Sequence, residues 1–261
     1  MSRVFDFTAA IVRLPAPSVA HGLRAEDVGN PLFETVVAEH RAYVAALEAA
    51  GVAVEILPAL EAYPDSMFVE DPAFVIPEGA VLLRPGAASR AGETAEIEPV
   101  LRRRFDRVVA LAEGFADGGD ILITAREILI GLSARTDRLG AEALALQLAA
   151  WGRPARVVET PAGTLHFKTA SSLIDEQTVI ATPALAASGV FEGLDVVLTP
   201  EGEEAAANLL RVNDVVLAGA AYPRTIDLLV ARGMTVVPLA VSEIAKIDAG
   251  LSCMSLRWRV A

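Results

Sequence analysis

The sequence is short of several residue types, and each shortage narrows what the protein does. Among 261 residues there is one cysteine, Cys253, which excludes an intrachain disulfide and fits a reducing cytoplasm. No apolar run reaches the roughly 18 residues that a membrane-spanning helix needs. The start of the chain carries an early acid and no secretory cleavage pattern. We therefore expect a cytoplasmic protein that does not engage a membrane.

Positive charge and metal-binding patterns are scarce as well. The 22 lysines and arginines are outnumbered by 34 acidic residues, and the only basic cluster is at residues 102–104. This balance argues against nucleic acid as a partner. Three histidines and one cysteine argue against a zinc site of soft ligands. The chain also lacks paired-cysteine, H-E-x-x-H, phosphate-binding-loop and G-x-S-x-G motifs. We expect no metal and no cofactor.

Apolar residues are abundant and follow a repeat. Hydrophobic residues make up 53% of the chain, and the mean hydropathy is +0.45, so there is material for a large core. Self-similar segments at a nearly regular period predict repeated supersecondary units that bury one another. Five short β-branched strands are predicted, centred on Val54, Val109, Val158, Val197 and Val237.

Hairpins and helices fit between these strands. Apolar pairs of strands separated by polar turns predict four hairpins, at residues 74–83, 121–130, 172–181 and 209–217. Apolar residues at helical spacing that end at a glycine predict three helices, at residues 31–50, 141–151 and 223–232. The stretch 201–210 is partly helical in pattern.

Five such units predict an α/β fold, a five-bladed α/β propeller of pseudo-fivefold ββαβ-type units, as one domain over residues 1–261. A doubly wound sheet is the alternative, and the missing G-x-G-x-x-G turn after the first strand argues against it. In a closed ring, equivalent positions of the units converge on one central channel. The polar residues at the equivalent position, before the first hairpin strand, are Asp71, Asp120, His166, Asn208 and Cys253.

A thiol and an imidazole at matched positions suit nucleophilic catalysis. Taken alone, Cys253 is typical of a small buried hydrophobe, and His166 of a structural histidine. Together, His166 could relay a proton for the thiol, and Asp117 could orient the imidazole, although an Asp- and Gly-rich surface turn is its simpler interpretation. His40 lies in a polar stretch of a helix and is interpreted as solvated.

Acidic and basic residues near the hairpins suggest a substrate with both charges. Asp65, Glu70 and Asp71 lead into a hydrophobic strand, where Asp71 would be costly to bury unless a cation pairs with it. A guanidinium group would supply that cation with bidentate geometry. Arg84 and Arg135, in hairpin contexts, could bind a carboxylate in the same way, or be ordinary surface charges.

The chain resembles the dimethylarginine dimethylaminohydrolases of the guanidino-group-modifying (pentein) superfamily. Each shared motif is weak alone, but the combination is specific and spans most of the chain. The family fold is the five-bladed α/β propeller. The motifs are His21-Gly22-Leu23-Arg24, Phe68-Val69-Glu70-Asp71, Arg84-Pro85-Gly86, Asp117-Gly118-Gly119-Asp120, residues 131–136, Leu165-His166-Phe167-Lys168 and residues 248–255.

The resemblance implies hydrolysis of a methylated arginine to citrulline and a methylamine, through a covalent thiouronium intermediate. Cys253 would be the nucleophile, and His166 the general acid and base. Asp117 would orient His166 or contact the leaving side. One departure is Met254, because mammalian relatives carry a second cysteine there.

The resemblance also implies how a guanidino amino acid binds. Glu70 and Asp71 would hold the guanidinium, and Asp65 a cationic end of the substrate. Arg84 and Arg135 would hold the α-carboxylate. The carbonyl groups of Leu23, on a flexible loop over the site, and of Ile247 would accept from the α-ammonium.

Two other classes of function stay open. Arginine deiminases and amidinotransferases share the fold and the cysteine–histidine chemistry. A non-catalytic propeller, like the ribosome-binding initiation factor built on this fold, would have no need of Cys253, His166 and the two arginines together. The assembly is also open, with a homodimer as one state to test.

Overall fold

The computed structural model describes residues 3–260, which form five separate three-stranded sheets and five α-helices. The strands are β1 (Ala9–Arg13), β2 (Ala53–Leu57), β3 (Ala73–Ile76), β4 (Gly79–Leu82), β5 (Val108–Ala110), β6 (Ile121–Ile123), β7 (Ile128–Leu132), β8 (Ala155–Glu159), β9 (Ser171–Leu173), β10 (Thr178–Ala181), β11 (Asp195–Leu198), β12 (Leu210–Val212), β13 (Val215–Gly219), β14 (Thr235–Leu239) and β15 (Leu256–Trp258). The helices are α1 (Phe33–Ala49), α2 (Glu93–Arg104), α3 (Arg138–Ala150), α4 (Pro183–Ala186) and α5 (Pro223–Ala231). Short 3₁₀ helices lie at Pro17–His21, Ala88–Arg90, Gly118–Asp120, Phe167–Thr169, Glu204–Ala207 and Ile244–Ile247.

All five sheets follow one plan. The first strand pairs antiparallel with the second, as β3 does with β4, and the second pairs parallel with the third, as β4 does with β5. Parallel neighbours cannot be joined by a tight turn, so a helix carries the chain from the second strand to the third. The hairpins and third strands that the repeat predicted are all present.

The fifth sheet joins the two ends of the chain. Strand β15 pairs antiparallel with β1, which in turn pairs parallel with β2. Strands β1 and β15 and helix α2 were not identified from the sequence. Helix α2 is mostly charged and contains Pro99, so only Ile97, Val100 and Leu101 give it a buried apolar face.

Each of the three predicted helices is followed by a glycine at which the helix ends. Gly51, Gly152 and Gly233 follow α1, α3 and α5 with φ of 86°, 75° and 81°, a left-handed conformation that favours glycine. The stretch 201–210 contains the 3₁₀ helix Glu204–Ala207 before strand β12. None of the helices within residues 3–260 combines the length and apolarity that a membrane crossing requires.

The interpretation of His40 as solvated is wrong. His40 is 2% exposed, on the same face of α1 as the buried residues Val36, Tyr43 and Leu47. Spacings of three and four residues place these side chains on one side of a helix. Burial lowers the pKa of His40 to about 4, so the imidazole is neutral.

One cavity, which we call the five-strand cavity, is lined by the first strands of all five sheets. These are β3, β6, β9, β12 and β15, which contribute Ala73, Ile121, Leu173, Leu210 and Leu256 among others. Strand β15 packs against β3, and β9 packs against both β6 and β12. The repeated units therefore share one interior, and the loops that precede their first strands lie close together.

Candidate active site

A pocket around Cys253, the Cys253 pocket, brings together segments that are distant in sequence. Eight of the ten predicted site residues line it. These are Leu23, Asp65, Asp71, Asp117, Arg135, His166, Ile247 and Cys253, joined by Phe68, Arg90, Leu165, Asp248 and Ala249.

The repeat explains this convergence. Asp71, His166 and Cys253 each lie a few residues before the first strand of a sheet. The two remaining equivalents, Asp120 and Asn208, lie beside them: Asp120 accepts a hydrogen bond from the Phe167 amide, and Asn208 contacts the Cys253 sulfur. The prediction that these positions meet is confirmed by these contacts.

The Cys253 thiol is buried and protonated at rest. It is 7% exposed, with the Asn208 Nδ2 atom 3.8 Å and the Ser252 Oγ atom 3.9 Å from its Sγ. Burial raises the pKa of the thiol to about 11, and the negative charges of Glu70 and Asp71 add to the effect. A nucleophilic thiolate therefore needs positive charge to arrive in the pocket.

His166 lines the same pocket and carries a positive charge. Its Nε2 atom lies 2.9 Å from Asp117 Oδ2. Burial alone would lower the pKa of His166, but the charge of Asp71, the hydrogen bond to Asp117 and the charge of Asp120 outweigh it and raise the pKa to about 9. The imidazole is therefore protonated at neutral pH, as a general acid requires.

The two glycines between Asp117 and Asp120 let the backbone approach the site. A Cβ atom at Gly119 would lie 2.8 Å from the His166 ring, and one at Gly118 would collide with the Glu70 carbonyl oxygen. The Gly119 amide donates to Asp71 Oδ1 at 3.0 Å. Close approach of the backbone, predicted from these glycines, is confirmed.

Asp120 fixes two of the loops around the pocket. Its Oδ1 accepts from the Phe167 amide at 2.7 Å, and its Oδ2 accepts from the hydroxyls of Ser133 and Thr136, both at 2.6 Å. The first contact holds the loop of His166, and the second holds the turn that carries Arg135. Burial raises the pKa of Asp120 to about 6.

Other groups that line the pocket suit the polar end of an amino acid. Asp65 Oδ1 accepts from the Leu23 amide at 3.0 Å, which ties the segment of Leu23 to the pocket. Burial raises the pKa of Asp65. Arg135 is half-buried, and Ile247 lines the pocket with its side chain close to Gly22, the residue before Leu23.

Two predicted substrate-binding residues, Arg84 and Glu70, are not among the residues that line the Cys253 pocket. Arg84 is exposed, with its guanidinium 5.3 Å from the centre of the Phe115 ring, and does not line the pocket. Glu70 faces the five-strand cavity, where its Oε1 lies 2.5 Å from Lys168 Nζ and 2.9 Å from Arg257 Nη2. Of the two adjacent acids, only Asp71 lines the pocket.

Arg90 lines the pocket and was missed. It is 5% exposed and donates to Asp71 Oδ2, to both carboxylate oxygens of Glu93 and to the Phe68 carbonyl. Burial would raise the pKa of Asp71, but Arg90 and His166 lower it. The only sequence signal is the three-residue spacing between Arg90 and Glu93, which indicates an ion pair but not its burial.

Three of these groups are also close enough for a metal. One donor atom each from Asp71, Asp117 and His166 lies within 4.8 Å of the others. His166 is hydrogen-bonded to Asp117, and Asp71 is paired with Arg90, so the donors already have partners. That the protein uses no metal stays a prediction.

Five ββαβ units with a buried thiol and imidazolium at their meeting point define a class of α/β proteins with cysteine–histidine chemistry. A family model described as arginine deiminase matches residues 34–198. The chain is 36% identical over 97% of its length to the whole N(G),N(G)-dimethylarginine dimethylaminohydrolase of Pseudomonas aeruginosa, and 34% identical to that of Streptomyces coelicolor, over 96% of each chain. A mutant of the Pseudomonas protein in complex with citrulline superposes with a TM-score of 0.94, covering 97% of this chain and 100% of that one. The chain belongs to the dimethylarginine dimethylaminohydrolase family of the guanidino-group-modifying (pentein) enzymes.

Proposed function

We propose that the protein hydrolyses Nω-methylated arginines, asymmetric dimethylarginine and monomethylarginine, to citrulline and a methylamine. The observation that carries this proposal is the meeting of a buried thiol, a protonated imidazole, carboxylates and a half-buried arginine in one pocket. The citrulline complex of the Pseudomonas aeruginosa relative supports the product.

The substrate binds by its charges. Its guanidinium lies against Asp71, and its α-carboxylate pairs with Arg135. The carbonyl groups of Leu23 and Ile247 accept from the α-ammonium, whose charge Asp65 balances. Arg90 does not replace Arg84 as a second carboxylate ligand in this proposal, since its contacts to Asp71 and Glu93 make it the residue that positions Asp71.

Substrate binding activates the thiol. The charges of Glu70 and Asp71 help to raise the pKa of Cys253, so a cation placed beside Asp71 offsets that effect and favours the thiolate. The thiol proton passes to solvent as the cation binds. The nucleophile is then formed mainly when a guanidinium is present to receive it.

The reaction then runs in two halves. Cys253 Sγ adds to the guanidinium carbon, and His166 donates its proton to the methylamine as the carbon–nitrogen bond breaks, which leaves a thiouronium intermediate. Neutral His166 next takes a proton from water, whose oxygen adds to the same carbon. The sulfur of Cys253 departs and takes the proton of the added hydroxyl, which restores the thiol and leaves neutral citrulline. Asp117 holds the imidazole in place through its contact to Nε2.

The architecture and setting are part of the proposal. The five sheets close into a single-domain five-bladed propeller around the five-strand cavity, which the packing of β15 on β3 and of β9 on β6 and β12 supports. The enzyme works in a reducing cytoplasm, because the chemistry needs Cys253 as a free thiol. It acts without cofactor, nucleic acid or membrane, and a homodimer is to be tested by sedimentation.

Turnover of unmethylated arginine is the second candidate. The match of residues 34–198 to the arginine deiminase model favours it. The same thiol and imidazolium would release ammonia in place of a methylamine. The two candidates differ in the leaving group and not in the product, which is citrulline in both cases.

The test is citrulline release by the purified protein from asymmetric dimethylarginine, monomethylarginine and arginine, with Cys253→Ser as the blank. We expect release from the methylated substrates that disappears in the blank. Release from arginine alone would make the protein a deiminase. No release from any of the three substrates would exclude both candidates.

A further inference from the structure

The five-strand cavity has the features of a second binding site. Its volume is about 110 Å³, and it is partly open to solvent. The proposed reaction uses none of this space, because the substrate occupies the Cys253 pocket. The walls contain apolar side chains from several sheets, including Phe7, Phe74, Leu122 and Leu173.

The floor of the cavity is a buried ion cluster whose hydrogen bonds are incomplete. Glu70, 5% exposed, shares its Oε1 between Lys168 and Arg257. Arg257 also donates from Nη1 to the carbonyl oxygens of Ser252 and Ser255. Two buried polar atoms of the cluster, Glu70 Oε2 and Arg257 Nε, have no hydrogen-bond partner among residues 3–260. Both atoms are sealed from the cavity, whereas the side chains of Lys168 and Arg257 keep 12% and 10% of their surface exposed, so a group in the cavity meets the cations of the cluster.

Positive charge exceeds negative charge around the cavity. Lys168, Arg211 and Arg257 line it, against one carboxylate, Glu70. Arg211 lies with its guanidinium 5.0 Å from the centre of the Phe5 ring, which also lines the cavity. A bound cation would meet a carboxylate oxygen next to two existing cations, whereas an anion would offset the surplus. The chemistry of the cavity therefore selects an anion with an apolar body.

We propose that the five-strand cavity binds a small organic monoanion, a carboxylate with a short apolar chain. The carboxylate pairs with the side chains of Lys168 and Arg257 at the floor, and the chain lies along the apolar wall formed by Phe7, Leu122 and Leu173. This site is separate from the Cys253 pocket and does not depend on the proposed reaction.

The binding is measured by isothermal titration calorimetry of the full chain with hexanoate, and with hexylammonium and hexanol as probes of the same length. We expect hexanoate to bind and hexylammonium not to bind. Hexanol is expected to bind at least about tenfold more weakly than hexanoate, because it lacks the charge that pairs with the floor. Equal binding of hexylammonium, or no binding of hexanoate, would overturn the proposal.

Matched variants locate the site. Ile123 lines the cavity and is half-buried at the end of β6, so Ile123→Glu adds a negative charge there and Ile123→Gln adds only polarity. We expect Ile123→Glu to weaken hexanoate binding about tenfold or more, and Ile123→Gln by less than about threefold. Arg211→Gln, which removes a positive charge, should weaken it several-fold.

Arg135→Gln is the control for the other site, because Arg135 lines the Cys253 pocket and not the cavity. Hexanoate binding should be unchanged in this variant. Binding that is lost in Arg135→Gln and kept in Ile123→Glu would place the carboxylate in the Cys253 pocket and contradict the proposal. The experiment needs no turnover, so its failure and the failure of the citrulline assay are told apart.

Discussion

The Cys253 pocket and the five-strand cavity are built by the same repeat, yet their chemistry is opposite. Residues that are adjacent in the sequence line different sites. Asp71 lines the pocket and Glu70 the cavity, and in the same way Cys253 lines the pocket and Ser252 the cavity. The loops that precede the first strands thus supply both sites, one from each side of the same backbone.

The two sites differ in the sign of their charge. Four acidic residues line the pocket against two arginines and His166, whereas the cavity has one acid against three basic residues. The acidic surroundings are what keep His166 protonated and what suit a guanidinium ligand. Burial alone therefore does not set the electrostatics of this interior. The charge of each site depends on which residues of the loops line the pocket and which line the cavity.

The largest effect is expected at Ser252 and Cys253, which are adjacent in the sequence but line different sites. Cys253→Ser should lower citrulline release roughly 10³-fold or more, because an alcohol is a far weaker nucleophile than a thiolate. Ser252→Ala removes only a hydroxyl 3.9 Å from the thiol and should lower kcat by less than about tenfold. Steady-state kinetics of both variants provide the measurement. Equal losses in the two variants would mean that the sites are not chemically distinct.

A second prediction separates the arginine that belongs to the pocket from the one that does not. Arg90→Met leaves the carboxylates of Asp71 and Glu93 buried without their cation, which should lower the free energy of unfolding by about 3–5 kcal/mol. Arg84→Met changes an exposed side chain and should cost less than about 0.5 kcal/mol. Urea denaturation monitored by circular dichroism measures both. A small loss in Arg90→Met would show that the buried ion pairs do not form.

The sequence predicted those parts of the fold that have local signals. Hairpins and third strands are short apolar runs bounded by turn residues, so the repeat identified them in four sheets. The fifth sheet pairs β15 with β1, which lie at opposite ends of the chain, and no local pattern indicates that pairing. Helix α2 was missed because most of its residues are charged and its few apolar residues give no clear helical pattern in the sequence.

The residues of the candidate site also include some that a sequence signal predicted and some that none indicated. Cys253, His166 and Asp71 occupy equivalent positions of the repeat, so their convergence was predictable from spacing. Arg90 was not, because only its distant partner Asp71 makes burial of its charge favourable. Arg84 is exposed and does not line the pocket, so its role as a carboxylate ligand stays a prediction.

The smallest effect tests the charge of the pocket through its histidine, with His40 as an internal contrast. The folded-state pKa of His166, about 9, lies above the ordinary value of 6.5, so its stabilising effect is complete below pH 6.5 and is lost as the pH rises through 9. The loss should be about 1 kcal/mol between pH 7 and 8. His40, with its pKa near 4, has the opposite sign, because acidification from 6.5 to 4 favours protonation of the unfolded chain and removes stability. The free energy of unfolding from urea denaturation at each pH measures both arms. His166→Gln should remove the loss of stability between pH 7 and 8, and His40→Gln should flatten the acidic arm alone. The window stops at pH 8, because the raised pKa of the buried Cys253 thiol causes a further loss of stability at higher pH. A loss between pH 7 and 8 that persists in His166→Gln would show that the acidic pocket does not hold the imidazolium.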